Sequence, residues 1–401
     1  MDFSIQLGSG MMKLCKGLAK SWNEADIIFS PRDLNPDQII KFSGELKKLS
    51  NISISIDPQL YSPTTDHERL NAHDFFPSSI NTGELWGKKS QTKLLKKIVE
   101  ANRKIGTNHT IAPSPFFSAP TDLWLKIQKS ILGELHGLDT TATITATLPL
   151  GSGVIKNDSM IGKIIEDIES WPASTIYMVC EHPTEAYFVS DQQWLDNLYD
   201  LVAGIRLAGK RVLFGYGNQQ QLGLACAGCN SIASGNFMNT RSFSTLKFEK
   251  PDAKKIRRKS TWYYSHRSLS EYKLPTLDNA KNKSLLQLLK PKSTFDSGYA
   301  KALFSTGQPS SSGFAETASF NHYLATMRKQ ALKSQSQSFD DTVDAAMNDL
   351  DNALALLTKL RKSRIFDDAR DFAPALAASR KAIETLKTNR GPVLRRKWNT
   401  L

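Results

Sequence analysis

The stretch Lys210–Ser244, KRVLFGYGNQQQLGLACAGCNSIASGNFMNTRSFS, decides how the rest of the chain is read. Arg211–Phe214 is a short apolar run that ends at Gly215-Tyr216-Gly217-Asn218; Gln219–Ala227 has helical composition, and Gly228 stops it. A second apolar run, Asn230–Ala233, leads into Ser234-Gly235-Asn236, with Asn239-Thr240-Arg241 beyond. Two successive strands whose far ends carry Gly, Asn, Ser and Arg predict a place where backbone amides face a ligand, often an anion. Gly215, Gly217, Asn218, Ser234, Gly235, Asn236 and Arg241 are the ligand-binding candidates of this stretch.

Towards the N-terminus the same strand-then-helix unit recurs. Phe3–Leu7, Ala25–Ser30, Ile52–Ile56, Thr107–Pro113, Thr141–Leu148 and Thr175–Val179 are apolar β-type runs separated by helix-sized segments. Pro36 follows Asn35 at the start of one such segment, where proline suits the first helical turn. Nearly continuous apolar strands require a sheet covered on both faces. Eight such units predict a (β/α)8, TIM-like barrel over residues 1–246. An open, doubly wound sheet is the alternative. In both folds ligands bind at the C-terminal ends of the strands.

Beyond Phe243 the character changes. Residues 247–401 hold 29 Lys+Arg against 15 Asp+Glu, a net +14, whereas residues 1–246 hold 23 against 24, a net −1. The whole basic excess of the +13 chain therefore lies in its C-terminal part. Such asymmetry predicts a polyanion partner, nucleic acid first of all, while solubility charge on helices is the plainer reading. Lys254, Lys255, Arg257, Arg258 and Lys259, followed by Trp262 and Tyr263, combine cations for phosphates with rings for stacking on bases, and Arg395-Arg396-Lys397-Trp398 repeats the combination. Residues 247–313 read as a basic connecting region, ending in the linker-like Gln308–Gly313. Residues 314–401 read as a helical bundle of three segments, near 315–335, 339–364 and 367–389, with Gly391-Pro392 stopping the third. These helices are also a candidate surface for a protein partner.

The strand ends also supply candidate chemistry. Asp57 closes the third strand and can act as general acid, general base or nucleophile; its plainer role is capping the Pro58 turn. Glu181 and His182 end the sixth strand as a candidate acid/base pair, and Arg32 ends the second as an anion-binding candidate. Asp66, His67, Glu68, His73 and Asp74 are metal-ligand types, but their spacing matches no standard site, and neither a metal nor a cofactor is expected. Cys226-x-x-Cys229 has no second pair and reads as buried structural thiols. No apolar run is long enough to span a membrane, the N-terminus lacks a secretory layout, and four scattered cysteines suit a reducing cytoplasm.

The stretch from Leu213 to Arg241 resembles the last two β/α units of the tRNA-guanine transglycosylase superfamily. The resemblance rests on Leu213-Phe214-Gly215-Tyr216-Gly217, Ala227-Gly228, Cys229-Asn230-Ser231-Ile232 and Thr240-Arg241, with Ile56-Asp57 similar to the strand end that carries that family's general-base aspartate. It implies a barrel that exchanges a base in DNA or RNA through a covalent aspartyl-sugar intermediate, in nucleic-acid modification or phage defence. This chain departs from the family at three points. Gly235 stands where the nucleophilic aspartate is expected, Pro58-Gln59 replaces a Gly-Gly, and no Cys follows Cys229 to build the family's zinc site. Three functions follow as expectations: a base- or nucleotide-modifying barrel enzyme, a non-catalytic nucleic-acid-binding barrel subunit, and a barrel enzyme for a small phosphorylated metabolite.

Overall fold

A computed structural model describes residues 1–63, 66–77, 82–116, 119, 121–249, 260–305 and 307–401. Its centre is a sheet of eight parallel strands: β1 (Asp2–Gln6), β2 (Ala25–Phe29), β3 (Ile52–Ile56), β4 (His109–Ile111), β5 (Thr143–Leu150), β6 (Thr175–Cys180), β7 (Arg211–Phe214) and β8 (Ser231–Ser234). The order β3-β2-β1-β8-β7-β6-β5-β4 brings the first and last strands together in the middle and leaves β3 and β4 as the ends. Those ends face each other across the one seam without a ladder among the described residues, where Thr107 Oγ1 donates to Ile54 O at 2.7 Å. The sheet is a nearly closed (β/α)8 barrel, and the open-sheet alternative falls away.

The helices of the outer layer form where sequence periodicity and caps predict them. They are α1 (Met12–Trp22), α2 (Pro36–Leu46), α3 (Lys88–Ile105), α4 (Asp122–Leu138), α5 (Asp158–Glu169) and α6 (Gln192–Leu207). Asn35 caps α2 in a reciprocal box with Gln38, and Asp191 caps α6 through Trp194 N. The seventh crossover, Gln219–Ala227, is a 3-10 helix rather than an α-helix, too short and too buried to cover its strand alone.

The C-terminal helices complete that cover. After a β-hairpin, β9 (Trp262–Ser265) with β10 (Ser270–Lys273), comes α7 (Leu274–Asn282), then α8 (Glu316–Lys333), α9 (Phe339–Lys362) and α10 (Ala373–Asn389). Helix α8 lies over β1, β8 and α1, the place of an eighth barrel helix, although about eighty residues separate it from β8. Helices α9 and α10 pack on Gln219–Ala227, and α10 also lies along α6. Leu324, Met327, Val343, Leu376 and Ile383 accordingly belong to the same continuous core as Ile5, Ile232 and Val202. A second, smaller core around Tyr263, Tyr272, Leu277, Leu289 and Leu303 holds the hairpin to α7. The third bundle helix, α10, ends at Asn389, just before Gly391-Pro392, and Pro392 then sits in the first turn of a further helix, Gly391–Lys397, where its missing N–H costs nothing.

The interior of the barrel is unusually polar. Ser4 Oγ donates to Asp26 Oδ2 at 2.5 Å and lies 3.2 Å from Ser231 Oγ near the N-terminal ends of the strands. One level higher, Tyr177 on β6 reaches across the barrel to Gln6 on β1. A core built from aliphatic layers would have no use for these groups; buried polar atoms persist only with partners.

Candidate active site

Asp57 follows the last residue of β3, and its side chain turns into the barrel, 1% exposed. Its Oδ1 accepts from Gln59 N at 3.0 Å and from Tyr61 OH at 3.0 Å. Its Oδ2 accepts from Tyr216 OH at 2.9 Å and from Tyr177 OH at 3.2 Å. Gln59 Nε2 in turn donates to Tyr216 OH at 2.9 Å. Three phenols and one amide thus surround a carboxyl group without any cation among its hydrogen-bond partners in the described residues. Burial pushes Asp57 up to about 6, opposed by the donors Tyr216, Gln59, Tyr61 and Tyr177, in that order. Neutral donors hold the anion less well than water does, and burial wins.

The backbone is shaped for this cluster. Tyr216 has φ of 54° and Gln59 of 55°, a left-handed conformation that bulky residues avoid. Such strain persists only where the surroundings over-determine it, and it concentrates at functional sites. Gly215 explains how Tyr177 reaches Asp57: a Cβ at that position would fall 2.4 Å from Tyr177 Cε2. The Tyr177 hydroxyl stands between Asp57 Oδ2 and Gln6 Oε1, at 3.2 and 3.1 Å, with one proton to give. It donates to Asp57 when the carboxyl is ionised and is free to donate to Gln6 when Asp57 carries its own proton.

Aromatic rings roof the cluster. Phe243 and Phe248 pack on Tyr61 with centroids 5.0 and 5.1 Å away and on Tyr216 at 5.5 and 6.2 Å. Arg32 lies over Phe248 at 5.4 Å, with Nη1 donating to Lys247 O and Nη2 paired to Asp33. The segment after β8 therefore closes the mouth.

A second polar cluster stands at the rim. Glu271 on β10 is 2% exposed and forms ion pairs with Arg241 (3.3 Å) and Arg370. Tyr187 OH donates to its Oε1 at 2.9 Å. The Arg241 guanidinium covers Tyr323 at 3.3 Å, and its Nε donates to Gly235 O at 2.8 Å. This cluster ties the hairpin, the loop before α10 and the last barrel loop together.

The positions singled out from sequence separate clearly in space. Asp57 is at the centre. Glu181 and His182 are not among its hydrogen-bond partners: Glu181 Oε2 accepts from Ser152 N at 3.3 Å, while His182 Nδ1 bonds Ala186 O and its ring stands edge-on to Trp194. Burial pushes His182 down to about 4, so it is neutral at pH 7. The phosphate-cradle reading is corrected by the ladder. The amides of Gly215 and Gly217 donate to Met178 O and Ala233 O, both at 2.8 Å, so neither faces a ligand. Asn218 is spent as a cap and on Tyr187 O and Arg241 O, Ser234 lies 3.4 Å from Tyr323 OH, and Asn236 Oδ1 accepts from Phe237 N. At Gly235 a Cβ would meet Thr240 Oγ1 at 2.2 Å and Gln6 O at 2.5 Å. No side chain fits there, so this arrangement leaves no room for a nucleophile at that position.

Among the nucleic-acid candidates, Lys254, Lys255, Arg257, Arg258 and Lys259 lie outside the described residues. Tyr263 is corrected to a core residue: it is fully buried, its hydroxyl donates to Leu289 O, and a buried ring cannot stack on an exposed base. Trp262 is half-buried beneath Arg370. Arg395 pairs with Asp340, while Arg396 and Lys397 are exposed. Cys226 and Cys229 are buried and free. Among the described residues no group of three or more His, Cys, Asp or Glu could hold a metal ion, and no helix is long and apolar enough to cross a membrane.

No protein-family model matches this chain, and no curated protein does. Similar solved structures include a monomeric dihydrodipicolinate synthase variant (12% identity, 58% of this chain, 68% of that one, TM-score 0.34). Others are catalytic-site mutants of active domain 2 of a thermostable chitinase from Pyrococcus furiosus (10%, 58% and 81%, 0.35) and an aldolase (12%, 61% and 93%, 0.33).

Proposed function

We propose that this barrel is an acid–base enzyme with Asp57 as its proton-transferring group, acting at the bond between base and sugar of a nucleotide in DNA or RNA. The observation that carries the reading is a buried carboxyl raised to about 6 at the C-terminal end of a barrel strand, held by three phenols on a strained backbone. A carboxyl poised near neutral pH can both give and take a proton. The nucleotide substrate rests on the resemblance of Leu213–Arg241 and on the basic C-terminal part. Because Gly235 has no room for a side chain, the reaction runs without an enzyme–sugar bond there. Asp57 delivers a proton to the departing base nitrogen as the C–N bond breaks. Water or an incoming base bonds the sugar carbon, and the proton it sheds restores the Asp57 acid. Substrate entry requires Phe243 and Phe248 to swing off Tyr61 and Tyr216.

The test is release or exchange of labelled base from DNA and tRNA. Asp57→Asn is expected to slow it by about 10²–10⁴-fold with the fold intact. Full activity in that variant would refute the acid–base role. A non-catalytic nucleic-acid-binding subunit is the second reading, favoured by the filled space at Gly235. It predicts salt-sensitive binding with no base release in either protein. The small phosphorylated metabolite loses its support once the amides of Gly215 and Gly217 are committed to the sheet.

A further inference from the structure

Residues two apart on a strand share a face. Phe3 of β1 packs outward on Trp22 of α1, so Ser4 and Gln6 face the barrel interior. Gln6 is fully buried, and Gly235 lets its backbone pass: Gln6 O lies 2.5 Å from the place a Cβ there would take. Gln6 Oε1 is 3.1 Å from Tyr177 OH, while Nε2 has no hydrogen-bond partner among the described residues. A buried donor left unpaired costs about 1–3 kcal/mol. A half-turn of the amide exchanges its oxygen and nitrogen, which are close in size. Nε2 then donates to Tyr177, and Oε1 is left over. Neither orientation pairs both ends, so the single Tyr177 proton decides between them. With Asp57 in its acid form, Tyr177 donates to Gln6 Oε1. With Asp57 ionised, Tyr177 donates to Asp57 Oδ2, 3.2 Å away, and its own oxygen is open to a donor. Gln6 supplies that donor once it has turned.

We infer that Gln6 is a positioning residue of the Asp57 site: its amide turns over each time Asp57 changes charge, and the chain Asp57–Tyr177–Gln6 reverses the direction of its hydrogen bonds as a unit. Its use in turnover rests on the acid–base role proposed for Asp57, whereas the turning itself requires only that Asp57 titrate. The groups around Asp57 leave that titration to it alone. Tyr61 from its own loop, Tyr177 from β6 and Tyr216 after β7 face it, and burial holds all three phenols well above their ordinary range. The Arg32 guanidinium after β2 lends its field to Tyr216. Near neutral pH, Asp57 is therefore the member of this cluster that gains and loses a proton.

The experiment is NMR of the full chain labelled with 15N-glutamine, following the Gln6 side-chain amide from about pH 4 to pH 8, on either side of the Asp57 midpoint. In the native protein the Gln6 signal is expected to move with the midpoint of Asp57. It should stay still in Asp57→Asn, which has no charge to change, and in Tyr177→Phe, where Asp57 still titrates but the relay is cut. Gln6→Met keeps the length of the side chain and removes its strong acceptor. The acid form of Asp57 then leaves the Tyr177 proton without that partner, so the Asp57 midpoint should fall by about half a unit to one unit. The pH profile of base release should fall with it. Three results would overturn the inference: a Gln6 amide that stays still while Asp57 titrates, one that moves equally in Tyr177→Phe, or an Asp57 midpoint that holds or rises in Gln6→Met. Full base release by Asp57→Asn beside a titrating Gln6 would refute the acid–base role and leave the relay standing. Should Gln6→Met fail to fold, the amide titrations of the native protein and Tyr177→Phe decide alone.

Discussion

Asp57 and Glu271 are both carboxylates buried at the mouth of one barrel, yet their neighbours make them different objects. Asp57 is met only by neutral donors, three phenols and a backbone amide. Glu271 is met by two guanidiniums as well as a phenol. Burial pushes the Arg370 guanidinium down to about 10, which still leaves it charged at neutral pH. The first arrangement stores a proton that can move; the second is an ionic tie between segments far apart in sequence. Burial alone therefore does not decide whether a carboxyl holds its proton near neutral pH; the charge of its partners does.

The largest expected effect comes from breaking the tie. Glu271→Ala strands Arg241 and Arg370 in a buried site, and removal of one partner from such a cluster costs about 3–5 kcal/mol. Urea unfolding should show this loss at pH 7. A change below about 1 kcal/mol would mean that water already reaches the cluster, as at an ordinary surface ion pair.

The same substitution logic gives the opposite sign at Asp57. Its pKa rises from 3.8 in the unfolded chain to about 6 in the fold, so the native state holds the proton more tightly. Its contribution to stability is full below pH 4, is lost as pH rises through 6, and amounts to about 3 kcal/mol at 1.36 kcal/mol per unit. Asp57→Asn removes this dependence. Relative to the native protein, the variant should gain about 2.4 kcal/mol between pH 4 and pH 7.5. His182, His322 and His266, held down to about 4, 4 and 3 by burial, destabilise the fold as pH falls below 6.5, but equally in both proteins. The difference curve therefore isolates Asp57, and a flat curve would place the carboxyl in contact with water.

The barrel was legible because a strand covered on both faces must be apolar throughout, and Ile52–Ile56 or Thr175–Val179 declares itself without knowledge of its neighbours. Asp57 was legible for the same reason, since a strand end fixes where its side chain points. The cradle at Gly215 and Gly217 was misread because an amide's availability depends on the partner strand, which sequence does not name. Tyr177 carries a local signal, a phenol inside the aliphatic run TIYMVC, and Tyr216 carries another between two glycines. Tyr263 carries no alternation signal, because Tyr263, Tyr264 and Ser265 are all buried and WYYS shows no exposed face. Glu271 and Arg370 carry no such signal, because long chain separations bring them to Arg241 and only packing reveals it.

The finest contrast between the two carboxylates lies in their phenols. Tyr216→Phe removes one of the donors to Asp57 Oδ2 and leaves Gln59 Nε2 with Ser30 Oγ as its remaining partner. Losing a donor to the ionised form should move Asp57 further above 6 by about half a unit to one unit, the equivalent of about 1 kcal/mol. Tyr187→Phe removes the phenol from Glu271, where two guanidiniums remain. Carboxyl titration followed by NMR should therefore show the Asp57 midpoint rising in the first variant and holding still in the second. If both variants leave it in place, the phenols only fill space, and the proton-storing reading of the Asp57 cluster fails while the ionic tie at Glu271 stands.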